Sequence, residues 1–142
     1  MGEMLRMWKF YAFLAAFFAA LTAIFSKLGV KESDPDLATA IRVSFILVLV
    51  WAIALHGDVA GIKKISPSSW LWLFLSAATT GLSWLFYFRA LESGDVSRVA
   101  PIDKLSVPIT ILLAFLFLGE PLGWKALLGG TLISVGALVL TL

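Results

Sequence analysis

Long apolar runs and short polar connections alternate along the chain. The runs fall at about residues 8–26, 37–57, 68–90, 99–119 and 122–141. Each is close to the roughly 20 residues that a helix needs to cross about 30 Å of hydrocarbon. The residue-by-residue alternation of a membrane barrel is absent, so helices are the predicted spanning element. The expected fold class is an all-α, polytopic bundle of five transmembrane helices, forming a single domain over 1–142.

The ends of the runs carry physical markers. Asp34-Pro35 and Ser66-Pro67 each place a capping side chain before a proline suited to the first helical position. Asp36 adds negative charge to the first turn of the second helix, where the helix dipole favours it. Glu120-Pro121 makes a similar joint before the last run, and Trp8, Trp70, Trp72 and Trp124 lie at run ends, where indole rings settle at headgroup level. Arg6 and Lys9 ahead of an apolar stretch resemble a secretory signal, but the stretch is long for one and four more runs follow. It is expected to remain as the first helix.

Composition agrees with a membrane chain: 61% hydrophobic, 14% charged, with a mean hydropathy of +0.98. The net charge is +2 and the basic residues are scattered, which argues against nucleic acid as a partner. There is no cysteine, and His56, beside Gly57 and Asp58, is the only histidine. No metal site, catalytic set or cofactor is therefore expected, and an intramembrane enzyme is the least favoured class.

The fourth run is the most informative. Asp103 and Lys104 stand between Pro101 and Pro108 at its head. Ionisable groups within a spanning helix cost about 2.5–3.5 kcal/mol each on insertion scales, so they are rare unless paired or used. Pro108 has no N–H, and the carbonyl of Lys104 loses its helical partner. Two charges, a kink and a freed acceptor in one segment predict a polar cavity, with Pro101 and Pro108 as gating positions. Lys104 either snorkels to the interface or attracts an anionic solute. Adjacent helical residues point about 100° apart, so Asp103 is expected to pair with a cation on another helix, Arg42 being the candidate.

On the third run, Thr80, Trp84 and Tyr87 recur at i, i+4 and i+7 and would give a cavity a hydroxyl and two aromatic rings. Lipid contact or packing is the plainer reading of such a stripe. Glu92, Asp95 and Arg98 suggest a surface ion-pair cluster. Rows of small residues permit close helix approach: Ala12, Ala16 and Ala20 beside Ala15, Ala19 and Ala23, and on the last run Ala126, Gly130 and Ser134 with Gly129 and Gly136 near them. Either packing within the chain or a subunit contact would use them. With five spans, Arg6, Lys9, Lys63, Lys64 and Lys125 share one side, against Lys27, Lys31, Arg89 and Arg98 on the other. So even a count fits either dual insertion or a fixed topology decided by one or two residues.

The run RALESGDVSRVAPIDKLSVP from Arg89 to Pro108, then LFLGEP and GGTLISVG, resembles an EamA domain of the drug/metabolite transporter superfamily. SKLGV at Ser26–Val30 and DPDLATAIR at Asp34–Arg42 are similar to its first connection and second helix. Members typically carry two such domains, so this chain resembles a half-size form. An odd helix number per repeat inverts successive copies. The resemblance thus implies a homodimer, antiparallel if topology is dual, or a heterodimer with a related half-size protein. It also implies a multi-pass inner or plasma membrane permease that exports a small organic metabolite or amphiphile by alternating access. The first run lacks the carboxylate that small multidrug-resistance proteins use for proton coupling. The alternatives are an accessory subunit without transport, and half of a heterodimeric flippase for a lipid-linked sugar.

Overall fold

A computed structural model describes residues 4–57 and 59–142, with side chains from residue 7 onward. The Arg6 side chain and Asp58 lie outside the described residues. The helices are α1 (Met4–Val30), α2 (Pro35–Ala54), α3 (Pro67–Ser93), α4 (Val96–Asp103), α5 (Ser106–Leu118) and α6 (Trp124–Val139), with a 3₁₀ turn at Val59–Lys64. The protein is all-α. Four stretches, Met7–Val30, Pro35–Ala54, Pro67–Ser93 and Val96–Leu118, are long and apolar enough to cross a membrane. Helix α6 has 16 residues and spans about 24 Å. The chain therefore has four to five membrane-spanning helices.

Local chemistry sets the helix ends. The Asp34 carboxylate accepts from the Asp36 and Leu37 amides at 3.0 and 2.9 Å, with Pro35 opening α2. Ser66 accepts from the Ser69 amide at 3.1 Å ahead of Pro67. Gly119, at φ 67°, ends α5 in the left-handed conformation that only glycine adopts without strain, and the Glu120 amide reaches back to the Ala114 carbonyl.

The chain forms two compact units, one made of α1 up to Phe25 with Ser93–Leu142, the other of Ser26–Glu92. In the first, α6 packs on α5 and α4. Gly130 lies at this contact: a methyl group there would just fill the space, 3.5 Å from Pro108 Cβ and 3.7 Å from Ile111 Cδ1, and a larger side chain would not fit. Gly130 and Ala137 are buried on that face, whereas Gly129 and Gly136 have nothing within 4 Å of where a Cβ would sit. The glycine row is thus split between an internal contact and an open face. On α1, Ala23 is buried, while Ala12, Ala15, Ala16, Ala19 and Ala20 face outward.

In the second unit, α2 and α3 run antiparallel and are joined at one end by a forked ion pair. Arg89 Nε and Nη2 donate to Asp36 Oδ1 and Oδ2 at 2.9 and 2.7 Å. Lys27 Nζ donates to the Leu91 carbonyl at 2.5 Å, placing a cation on a carbonyl in the last turn of α3, where the helix dipole is negative. Ser26, Val30, Pro35, Thr39, Phe88 and Leu91 are buried around these links. The cluster expected of Glu92, Asp95 and Arg98 does not form an ion pair among the described residues; Arg98 and Val99 instead bond through their amides to the Asp95 carbonyl as α4 begins. Large apolar side chains point outward on most helices, Phe13, Phe45, Phe74 and Phe117 among them. Lipid accepts such faces without penalty, so the packed interior stays small.

Two outcomes follow from these contacts. Gly130→Leu should destabilise the α5–α6 pair by about 1–3 kcal/mol through overpacking, while Gly129→Leu should change stability by less than about 0.5 kcal/mol; thermal unfolding in detergent measures both. A double-mutant cycle on Asp36 and Arg89 should return only a weak, salt-sensitive coupling, because both side chains are roughly half accessible.

Candidate functional site

Two polar places interrupt the apolar helices, one in each unit. In the first unit the fourth run is broken. Helix α4 ends at Asp103, and Lys104 and Leu105 form a tight turn before α5 starts at Ser106. The amides of Lys104, Leu105 and Val107 bond three residues back, to Pro101, Ile102 and Lys104 carbonyls, at 3.1, 2.9 and 3.0 Å. The Lys104 carbonyl, which Pro108 deprives of its usual donor, is therefore taken by Val107 rather than left free. The break sits about 11 Å along the Val96–Leu118 stretch.

The turn also changes the pairing. Lys104 Nζ donates to Asp103 Oδ2 at 2.9 Å, where helical geometry would have kept these neighbours apart. Asp103 is thus paired within its own turn, and in the second unit Arg42 has aromatic partners. Lys104 remains 55% and Asp103 35% accessible, so the pair is formed but not enclosed. Pro101 lies inside α4 and Pro108 in the first turn of α5, where its missing N–H breaks least.

Below the break, α5 and α6 enclose an open groove of about 260 Å³ lined by Pro108, Ile111, Leu112, Ala126, Gly130 and Ser134, among others. It is slightly smaller than the roughly 300–1,000 Å³ typical of ligand pockets. Its hydroxyls are already used: Ser134 bonds to the Gly130 carbonyl and Thr131 to that of Leu127, both at 2.9 Å. The groove is a packing feature with no polar handle for a solute.

In the second unit, Arg42 projects from α2 onto α3. Its Cζ is 4.2 Å from the Trp84 ring centroid and 5.7 Å from that of Phe88. Tyr87 is half-buried one position before Phe88 on α3. Thr80 lies on the same stripe as Trp84 and Phe88 at i, i+4, i+8, and is exposed. Cation–π attraction reaches about 2 kcal/mol or more when desolvated. That offsets much of the roughly 2.5–3.5 kcal/mol insertion cost of an arginine, but it supplies no acceptor for the guanidinium N–H groups. Among the described residues no carboxylate pairs with Arg42 and none of its N–H groups has an acceptor.

The sequence reading named Arg42, Thr80, Trp84 and Tyr87, and the structure brings Arg42 and Trp84 together. It missed Phe88, Asp36, Arg89 and Lys27. The signal for the ion pair was present: Asp36 opens one helix and Arg89 closes the next but opposite-running one, so they meet at one membrane face. Phe88 was signalled by its spacing of four from Trp84.

Residues 6–142 match the EamA-like transporter family. An uncharacterized transporter encoded 3′ of cobO in a Sinorhizobium species is 48% identical over 138 residues, covering 96% of this chain and 98% of that protein. The uncharacterized transporter YvbV of Bacillus subtilis is 38% identical over 68 residues, which are 48% of this chain but 22% of YvbV. No solved structure matches the chain. With a near-complete family match, a full-length transporter relative and a bundle of apolar helices interrupted by paired charges, this membrane protein belongs to the EamA-like transporter family.

Proposed function

We propose that the chain moves a small organic solute across the plasma membrane, outward, by alternating access, and that two copies build the path. The observation that carries this reading is the broken α4–α5 span with an accessible Asp103–Lys104 pair inside it. Non-helical backbone and charge at that depth are tolerated where they face protein or a water-filled cavity. A second five-helix copy opposite the break supplies the missing wall. Relative lengths support the same arrangement: YvbV is more than twice as long as this chain, while the Sinorhizobium protein is of equal size. Inverted repeats place the solute site at their interface near the midplane, and a nearly even count of lysine and arginine permits an antiparallel pair.

Helix α4 is short and joined to α5 by three-residue hydrogen bonds, so the two segments can rock about Lys104 while their ladders stay intact. The solute then meets the ion pair on one side of the joint and is released when the joint swings. Lys104→Met tests this directly. In proteoliposomes challenged with a panel of small organic solutes, the wild type should accumulate at least one, and the variant should lose at least tenfold of that flux with unchanged thermal unfolding. A variant with full flux would remove the break from the path, and a wild type inert to every solute would favour an accessory subunit. Gly129→Cys, on the open face of α6, should cross-link to a second copy in native membranes; a chain that stays monomeric there would exclude the dimer.

A further inference from the structure

The two arginines that α2 and α3 bring to this unit are in opposite states. Arg89 has both edges of its fork filled by Asp36. Arg42 lies over Trp84, with Phe88 further off on the same helix, and among the described residues its N–H groups meet no acceptor. Their depths differ as well. Counted from the Asp36–Arg89 pair, Arg42 lies about 9 Å and Trp84 about 7.5 Å further into the helices.

An arginine at that position has an easy alternative. Side chains on a helix lean toward its N-terminus, and the N-terminal end of α2 is the nearby membrane face. The guanidinium nevertheless stands closest to Trp84, the deeper of its two rings, and not to Phe88 nearer the surface. One turn deeper on the same stripe, the Thr80 hydroxyl has no partner among the described residues, whereas adjacent Thr79 bonds back to the Leu75 and Ser76 carbonyls. A planar cation with a fixed orientation and a free edge, with a free hydroxyl beyond it and apolar rings beside it, is the complement of a carboxylate on an apolar body.

We propose that Arg42, set by Trp84 and Phe88, together with Thr80 recognises the carboxylate of an amphiphilic organic anion, which is the solute class carried. This deepens the transporter reading and rests on it. The guanidinium takes both carboxylate oxygens along its edge, Thr80 donates to one of them, and the apolar body lies against Trp84. Arg42 is fixed by stacking before the solute arrives, so little ordering remains to be done on binding.

The probes are octanoate, octanol and octylammonium, which share a tail and differ in head group. Titration calorimetry on the full chain in zwitterionic-lipid nanodiscs should give octanoate a Kd at least tenfold below the other two. Arg42→Gln should bring the three within twofold, and Arg42→Lys should keep a reduced preference. Thr80→Val should weaken octanoate about threefold. Equal affinities in the wild type, or an unchanged preference in Arg42→Gln, overturn the proposal. Should Arg42→Gln fail to fold, the wild-type head-group series and Thr80→Val decide alone. Discs containing phosphatidylglycerol separate the other anion source: a preference that persists supports a solute site, and one abolished there assigns the arginine to lipid phosphate and overturns it. Binding is read without flux. Octanoate binding without any transport defeats the transporter reading and leaves this site standing, while transport of solutes without head-group preference does the reverse.

Discussion

A charge carried into hydrocarbon has to find its compensation within reach, because no solvent is there to supply it. The helices of this protein are arranged around that requirement, and each unit meets it differently. In Ser26–Glu92, three cations from three helices receive three kinds of partner: Arg89 a carboxylate, Lys27 a backbone carbonyl at a helix end, and Arg42 two aromatic faces. The first two tie the segment around Lys27 and the start of α2 to the C-terminal end of α3. The third lies deeper and is held without being neutralised. In the other unit the compensation is local, from one residue to the next, and the helix yields to allow it.

Small size and an outward-facing apolar surface follow from the same setting. A water-soluble chain of this length would need to bury most of its large side chains. Here Leu91 is fully buried, yet Phe117 stays 80% exposed at no penalty in lipid. Close packing is confined to a few places, the cluster around Phe88 and Leu91 and the contact of Gly130 with Pro108.

Much of the architecture was legible because its causes are local. The five apolar runs, the Asp34 and Ser66 caps and the Gly119 stop each depend on a few adjacent residues, and they recur at or within a few positions of the expected ends. Helix α6 starts later than hydropathy suggested, since Pro121–Gly123 form a tight turn, the Gly123 amide bonding to the Pro121 carbonyl at 3.0 Å, ahead of Trp124. What escaped the sequence was pairing. The expectation that Asp103 and Lys104 point apart assumed an uninterrupted helix, and the turn after Asp103 removed that premise. Arg42 is legible as a charge needing a partner, but its partners are aromatic rings on another helix, which charge complementarity does not signal. The stripe on α3 was found by its period; which member stacks on Arg42 depends on the rotation of α3 against α2, and no spacing on a single helix encodes that.

The tight turns at Lys104 have a mechanical meaning of their own. An α-helix advances about 100° and 1.5 Å per residue, and a 3₁₀ segment about 120° and 2.0 Å. Rewinding three residues between these states would rotate everything downstream by about 60° and shift it by about 1.5 Å. The joint is thus a screw. Pro108 withholds the donor that the looser winding would need at the Lys104 carbonyl, and so the thread rests at its tight end.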